Sequence, residues 1–62
     1  MEVYAGREHP GSPYYVRIEA REHGLYNDRE KAEGDAKDIA RDHNGRAYRS
    51  GNTTEQIWPL RL

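Results

Sequence analysis

The chain contains no cysteine and no phenylalanine, and only one of its 62 residues is tryptophan. The absence of cysteine excludes disulfides and thiolate metal sites. Large aliphatic side chains are also few, so a single domain of this length has a small core that supplies a net stability of about 3–5 kcal/mol. We therefore expect residues 1–62 to form one domain that gains further stability by self-association as a homodimer.

Neither sign of charge is in large excess, and there is no long apolar run. The formal net charge is −1 although 34% of the residues are charged, so the chain as a whole has no strong attraction for nucleic acids or membranes. No segment resembles a signal peptide or a membrane span. Together with the lack of cysteine, these absences predict a cytoplasmic protein that has no membrane partner.

The clearest positive pattern predicts a helix over residues 28–43. Asn27 with Glu30 is typical of a capping box, and Asn44-Gly45 is typical of a left-handed helix exit. Between these signals a narrow stripe recurs at helical spacing, formed by Ala32, Ala36, Ile39, Ala40 and His43. Because the stripe is nearly all alanine, we expect the helix to lie close against a flat sheet.

Four short segments have the alternation or the flanking turn residues of strands. They are predicted at residues 1–5, 13–20, 46–50 and 54–58. Residues 21–26 are interpreted as the connection to the helix, and residues 51–52 as a two-residue hairpin turn. The predicted fold is therefore α+β: a small antiparallel sheet of three to four strands in β-β-α-β-β order, with one helix packed on one face.

The last predicted hairpin leaves two alternatives open for its buried face. Either Tyr48 with Ile57 or Ala47 with Trp58 would point to the core, and the pattern does not choose between them. The proline that follows Trp58 is expected to end the sheet.

Part of the sequence resembles a group of small uncharacterised strand–helix–strand proteins of bacteria and their phages. The resemblance lies in residues 29–32, Ala36 and residues 39–48, where an alanine-striped helix ends in glycine and continues into a hairpin. It covers about residues 25–58 and departs from the group in having no tryptophan in the strand before the helix. It implies a fold and a viral, bacteriophage-encoded protein, but no activity.

No set of side chains has the pattern of an enzyme or a metal centre. The tripeptide Arg-Glu-His occurs at residues 7–9 and 21–23, but its histidines lack the short spacings typical of metal ligands. The serines and threonines lie in predicted turns, and no glycine-rich phosphate loop is present. We therefore expect a non-enzymatic protein without cofactor or metal.

Two groups of residues are candidates for protein binding. Tyrosine, tryptophan and arginine are enriched at interface hot spots, which makes Tyr15, Arg17, Tyr48 and Trp58 the predicted anchors. One side of the helix carries a second group, the aspartate flank, formed by Asp28, Asp35, Asp38 and Asp42. The flank is interpreted either as a solvated face or as a surface that is complementary to a basic partner. The predicted function is that of an accessory or regulatory protein that binds a protein partner or a second copy of itself.

An alternative is single-stranded nucleic-acid binding. The C-terminal part of the chain combines basic and aromatic side chains, namely Arg46, Arg49, Arg61, Tyr48 and Trp58. Such residues bind phosphates and stack on bases. Acidic residues interleaved with them argue against this alternative.

Overall fold

A computed structural model describes residues 1–51 and 53–60 and shows, within them, one helix packed on a five-stranded mixed sheet. In chain order the elements are β1 (Glu2–Gly6), β2 (Tyr14–Ile18), β3 (Arg21–Tyr26), α1 (Arg29–Asp42), β4 (Arg46–Arg49) and β5 (Glu55–Trp58). The predicted α+β class is confirmed, whereas the predicted number of strands and the β-β-α-β-β order are wrong. No helix in the described part of the chain is long and apolar enough to cross a membrane.

The strand order across the sheet is β3-β2-β1-β4-β5, and the pair β1–β4 is parallel. The other three pairs are antiparallel, so the predicted fully antiparallel sheet is wrong. The reason lies in α1, which returns the chain across the sheet so that β4 runs in the same direction as β1 and β3. The helix therefore connects two parallel strands that are separated by β2 and β1.

Residues 21–26 form the edge strand β3 and not the predicted connection. Four of its residues are exposed, so the sequence lacks the apolar alternation by which a half-buried strand is recognised. The turn before it is equally hard to recognise, because Glu19 and Ala20 adopt φ values of 48° and 69°. Such hairpin turns normally use asparagine and glycine. The turn also ends β2 at Ile18, two residues before the predicted boundary.

The helix begins one residue later than predicted. Its N-cap is Asp28, and no side-chain cap hydrogen bond is formed there, so the predicted capping box at Asn27 is wrong. Its C-terminus is a Schellman motif, because the Gly45 N–H donates to the Ala40 carbonyl at 2.7 Å and the residue before Gly45 donates to Arg41 at 3.4 Å. The predicted left-handed exit is confirmed.

The two residues of that exit have different roles. Asn44 has the left-handed conformation, with φ 53°, whereas Gly45 allows a close approach between two chain segments. A Cβ atom on Gly45 would collide with the Met1 carbonyl oxygen, to which the Arg46 N–H donates at 2.9 Å. Glycine at position 45 therefore lets β4 start beside β1.

Small side chains dominate the core between α1 and the sheet. The buried cluster consists of Val3, Ala5, Val16, Ala32, Ala36, Ala40, Ala47 and Ile57. The predicted alanine stripe is confirmed at its three alanines, which are fully buried, whereas Ile39 is half-buried and His43 is exposed. Such small residues allow the helix to lie close to the strands.

The buried face of the last hairpin takes one residue from each predicted alternative. Both Ala47 and Ile57 are buried, because the register between β4 and β5 shifts between Ala47 and Tyr48. The connection spans residues 50–54, longer than the predicted two-residue turn, and Asn52 of that turn lies outside the described residues. The sheet ends before Pro59, as predicted.

Candidate binding surface

The side of the sheet opposite α1 is called here the helix-free face. It includes these residues, which alternate with the core positions along three of the strands: Tyr4 of β1, Tyr15 and Arg17 of β2, and Arg46 and Tyr48 of β4. Their neighbours Val3, Ala5, Val16 and Ala47 all belong to the buried cluster on the helix side. Three tyrosines and two arginines thus share one face that the helix does not cover.

A stacked tyrosine pair lies near the centre of this face. Tyr4 and Tyr48 are register partners on β1 and β4, and their ring centroids are 5.2 Å apart with an interplanar angle of 21°. Both residues are half-buried. Burial and then the carboxylate of Glu2, to which the Tyr4 hydroxyl donates at 3.3 Å, raise the pKa of Tyr4. The pair gives the face an aromatic centre that is still partly accessible to a partner.

Tyr15 contributes differently from its neighbour Arg17. The Tyr15 ring is only 7% exposed, and the Arg17 guanidinium lies over it at 4.3 Å from the centroid. Arg17 also forms an ion pair of 3.2 Å with Glu8. Arg17 therefore covers the Tyr15 ring, while Arg17 itself and Tyr48 remain accessible.

The structure does not bring all four predicted anchors together. Tyr15, Arg17 and Tyr48 share the helix-free face, whereas Trp58 packs against the core cluster. Tyr4, which was not among the predicted anchors, joins the face instead. Its signal was present in the sequence, because position 4 alternates with Val3 and Ala5 as Tyr15 and Arg17 alternate with Val16.

The aspartate flank is largely occupied by contacts within the chain. Asp38 and Asp42 both approach Arg41, at 3.2 and 3.8 Å. Burial, and after it the nearby Asp35 carboxylate, raise the pKa of Tyr26 to about 12. Asp28 is the exposed N-cap. The four carboxylates therefore do not form a continuous unpaired surface.

The basic and aromatic residues of the nucleic-acid alternative lie on different sides of the sheet. Arg46 alternates with the core and shares the helix-free face with Tyr48. Arg49 lies on the helix side, where Nε and Nη2 donate to the Glu33 carboxylate at 2.8 and 3.0 Å. These bonds, before all other causes, raise the pKa of Arg49. Arg61 lies outside the described residues.

An open pocket of about 650 Å³ adjoins the helix-free face at one end of the sheet. Four arginines line it, namely Arg7, Arg17, Arg29 and Arg49. The rings of Tyr14 and Tyr15 also line it, and three of the guanidiniums lie over these rings. Sequence reasoning missed this pocket because its arginines are far apart in the chain.

The side chains considered for catalysis or metal binding form no complete site among the described residues. Within residues 1–51 and 53–60, no three His, Asp or Glu side chains are arranged to hold a metal ion. The Ser12 hydroxyl lies 2.9 Å from Nδ1 of His9, in a turn in which the Ser12 N–H donates to the His9 carbonyl. An activated serine needs a third group that orients the imidazole, and no carboxylate bonds His9 in the described structure. This contact is therefore interpreted as part of the turn.

Comparison of the chain with protein-family models, with curated proteins and with solved structures finds no match. The site itself must therefore support any functional conclusion.

Proposed function

We propose that the chain is a small non-enzymatic accessory or regulatory protein that acts by protein–protein contact through its helix-free face. The partner assigned to that face is a second copy of the chain. The interface would be isologous, with the tyrosine pair of one copy packed on the tyrosine pair of the other.

The observation that supports this proposal most is the half-buried stack of Tyr4 and Tyr48 in the middle of the face, at 5.2 Å. Protein interfaces combine an aromatic centre with a polar rim, and tyrosine and arginine are enriched there. The charges around the pair are matched within the chain, since Glu8 neutralises Arg17 and Glu2 is the register partner of Arg46. A locally neutral face fits a protein surface better than a polyanion.

The size of the molecule limits how strong this contact can be. The Cα positions extend over only 30 × 22 × 19 Å, so a standard interface, which buries about 800 Å² on each partner, would take up most of one face of the molecule. We therefore expect a weak dimer that forms at high micromolar concentration and dissociates on dilution.

Sedimentation velocity over a concentration series tests the proposal. The wild-type sedimentation coefficient is expected to rise with concentration, whereas that of the double variant Tyr4→Ser/Tyr48→Ser stays at the monomer value. Leu60→Ser is the matched control, because Leu60 is a large apolar side chain that is 66% exposed outside the strands. A wild-type chain that stays monomeric at the highest concentration contradicts the proposal.

The second candidate function is single-stranded nucleic-acid binding by the same face. It is supported by the position of Arg46 beside the tyrosine pair, since stacked bases and phosphates need these residue types together. This candidate predicts that affinity for an oligothymidylate falls steeply as salt rises, because bound counterions are released. Absence of retention in a filter-binding assay at low salt removes it.

A further inference from the structure

The arginine-lined pocket lies where the parallel strands β1 and β4 end side by side. After β1 the chain turns towards β2, and after β4 it turns towards β5 on the opposite side. The connections over residues 7–13 and 50–54 therefore diverge and leave the opening of about 650 Å³. Parallel sheets commonly bind ligands at such divergent carboxyl ends, and sites for small molecules have volumes of about 300–1,000 Å³. The position and size of the pocket thus fit a small ligand.

The four arginines of the pocket fall into two pairs. Arg17 and Arg49 are each neutralised, the first by Glu8 at 3.2 Å and the second by Glu33 at 2.8 Å and Glu55 at 3.4 Å. Arg7 and Arg29 have no carboxylate within ion-pair distance in residues 1–51 and 53–60. The four arginines and the three glutamates that pair with two of them carry a formal charge of +1, although the chain as a whole has a net charge of −1.

Both of these guanidiniums contact the same aromatic ring, that of Tyr14. The Cζ atoms of Arg7 and Arg29 lie 5.0 and 5.6 Å from the centroid of Tyr14. Stacking on a ring limits the motion of a guanidinium and leaves its N–H edge available for hydrogen bonds. An anion in the pocket is therefore attracted by both guanidiniums.

We propose that this pocket binds the phosphate monoester group of a small molecule, with Arg7 and Arg29 as its direct ligands. Arg7 and Arg29 are the guanidiniums of the pocket that no carboxylate of residues 1–51 and 53–60 pairs with, and a phosphate monoester carries nearly two negative charges at neutral pH. Its oxygens also fit the planar fork of arginine, which donates two parallel hydrogen bonds. The pocket shares Tyr15 and Arg17 with the helix-free face, but neither the tyrosine pair proposed for the dimer nor the proposed phosphate ligands Arg7 and Arg29 are shared.

The test uses the whole ¹⁵N-labelled chain and three probes, each followed by amide chemical shifts: inorganic phosphate, adenosine monophosphate and adenosine. Phosphate and adenosine monophosphate are expected to shift the amides of residues 7–9, 11–12, 14–15 and 50–51 in a saturable way, and adenosine is not. Tighter binding of the nucleotide would identify it as the source of the phosphate group, whereas equal affinities would show that the phosphate alone is recognised. Absence of saturable shifts with both phosphate probes overturns the proposal, as does adenosine binding with the affinity of the nucleotide.

Paired variants separate a built site from general electrostatic attraction. Arg7→Gln/Arg29→Gln is expected to weaken phosphate binding at least about tenfold, because two charge-assisted hydrogen-bond donors are lost. Arg21→Gln/Lys31→Gln removes the same charge from exposed positions that do not line the pocket, and it is expected to retain wild-type affinity within about twofold. Circular dichroism verifies that both variants fold. An equal loss in the two variants would show that no specific site exists.

Discussion

The two faces of the sheet are covered in different ways. On the helix side, small residues such as Ala36 and Ala47 are fully buried because α1 lies close above them. On the helix-free face, large side chains cover one another, as Arg17 covers Tyr15 at 4.3 Å. One face therefore depends on close packing by another element, whereas the other provides part of its own cover. An aromatic sheet face can therefore be partly buried without a partner. Because Tyr15 is already covered within the chain, the binding proposal rests on Tyr4 and Tyr48 more than on Tyr15.

The largest effect is expected from enlarging a side chain on the covered face. Ala36→Leu should reduce the free energy of unfolding by about 1–3 kcal/mol, because a fully buried alanine has no room for three more carbon atoms. Tyr48→Ser on the helix-free face should cost less, because it loses the aromatic pair, about 0.5–1.5 kcal/mol, and only the partial burial of a half-exposed ring. Chemical denaturation measures both values. Equal losses of stability in the two variants would contradict the proposed difference between the faces.

Two glycines test how much the covered face depends on close approach. Gly45→Ala should destabilise the chain by about 1–3 kcal/mol, because the new Cβ collides with the Met1 carbonyl and pushes β4 away from β1. Gly34→Ala, in α1, meets no atom within 4 Å and should stabilise the chain by about 0.5–1 kcal/mol. Thermal unfolding of both variants measures the difference. If Gly34→Ala destabilised the chain, the new methyl group would not lie in open space as the structure has it.

Two carboxylates bind Arg49, and loss of the buried one should destabilise the chain more than loss of the exposed one. Glu33→Gln is expected to cost about 1–2 kcal/mol, because Glu33 is only 8% exposed and forms two short hydrogen bonds to the guanidinium. Glu55→Gln should cost less than about 0.5 kcal/mol, since its side chain is 60% exposed and its ion pair is screened by solvent. Urea titrations at low and high salt distinguish the two. A larger effect of Glu55 would contradict the assigned geometry.

The smallest expected effect is on stability at alkaline pH, for which one tyrosine of each face is compared. Because the folded state raises the pKa of Tyr26 to about 12, the stability that Tyr26 contributes is fully present below pH 10 and decreases as pH rises from 10 towards 12. Tyr26→Phe should cost about 1 kcal/mol at neutral pH and should flatten this alkaline decrease. Tyr4→Phe is the comparison from the helix-free face, and it should flatten the decrease less than Tyr26→Phe, because the pKa of Tyr4 is also raised but by a smaller shift. Tyrosinate absorbance and urea titrations measure the effect, and an unchanged pH profile in Tyr26→Phe would refute it.

The helix could be predicted from the sequence, whereas the complete sheet could not. The alanine stripe, the Schellman exit and the alternation of Val16 with Tyr15 are local signals, and the structure contains all three. Strand β3 was missed because an exposed edge strand needs no apolar alternation. The parallel pairing of β1 with β4 was missed because contacts between distant segments leave no local pattern.

The candidate sites show the same limit. Residues of one strand, such as Tyr15 and Arg17, could be placed on one face from alternation alone. The pocket could not be predicted, because Arg7 and Arg29 are distant in the chain and only the fold brings each of them to Tyr14. A register shift beside Tyr48 likewise placed Trp58 against the core, away from the predicted anchors.

We propose that the helix-free face, and not the helix, contacts a second copy of the chain. A dilution series of the ¹⁵N-labelled protein, followed by amide chemical shifts, tests this claim most directly. We expect concentration-dependent shifts that are largest at Tyr4, Arg17 and Tyr48, while the outer side of α1 around Lys31 is unchanged. Shifts concentrated on α1, or no shifts up to millimolar concentration, would contradict the account.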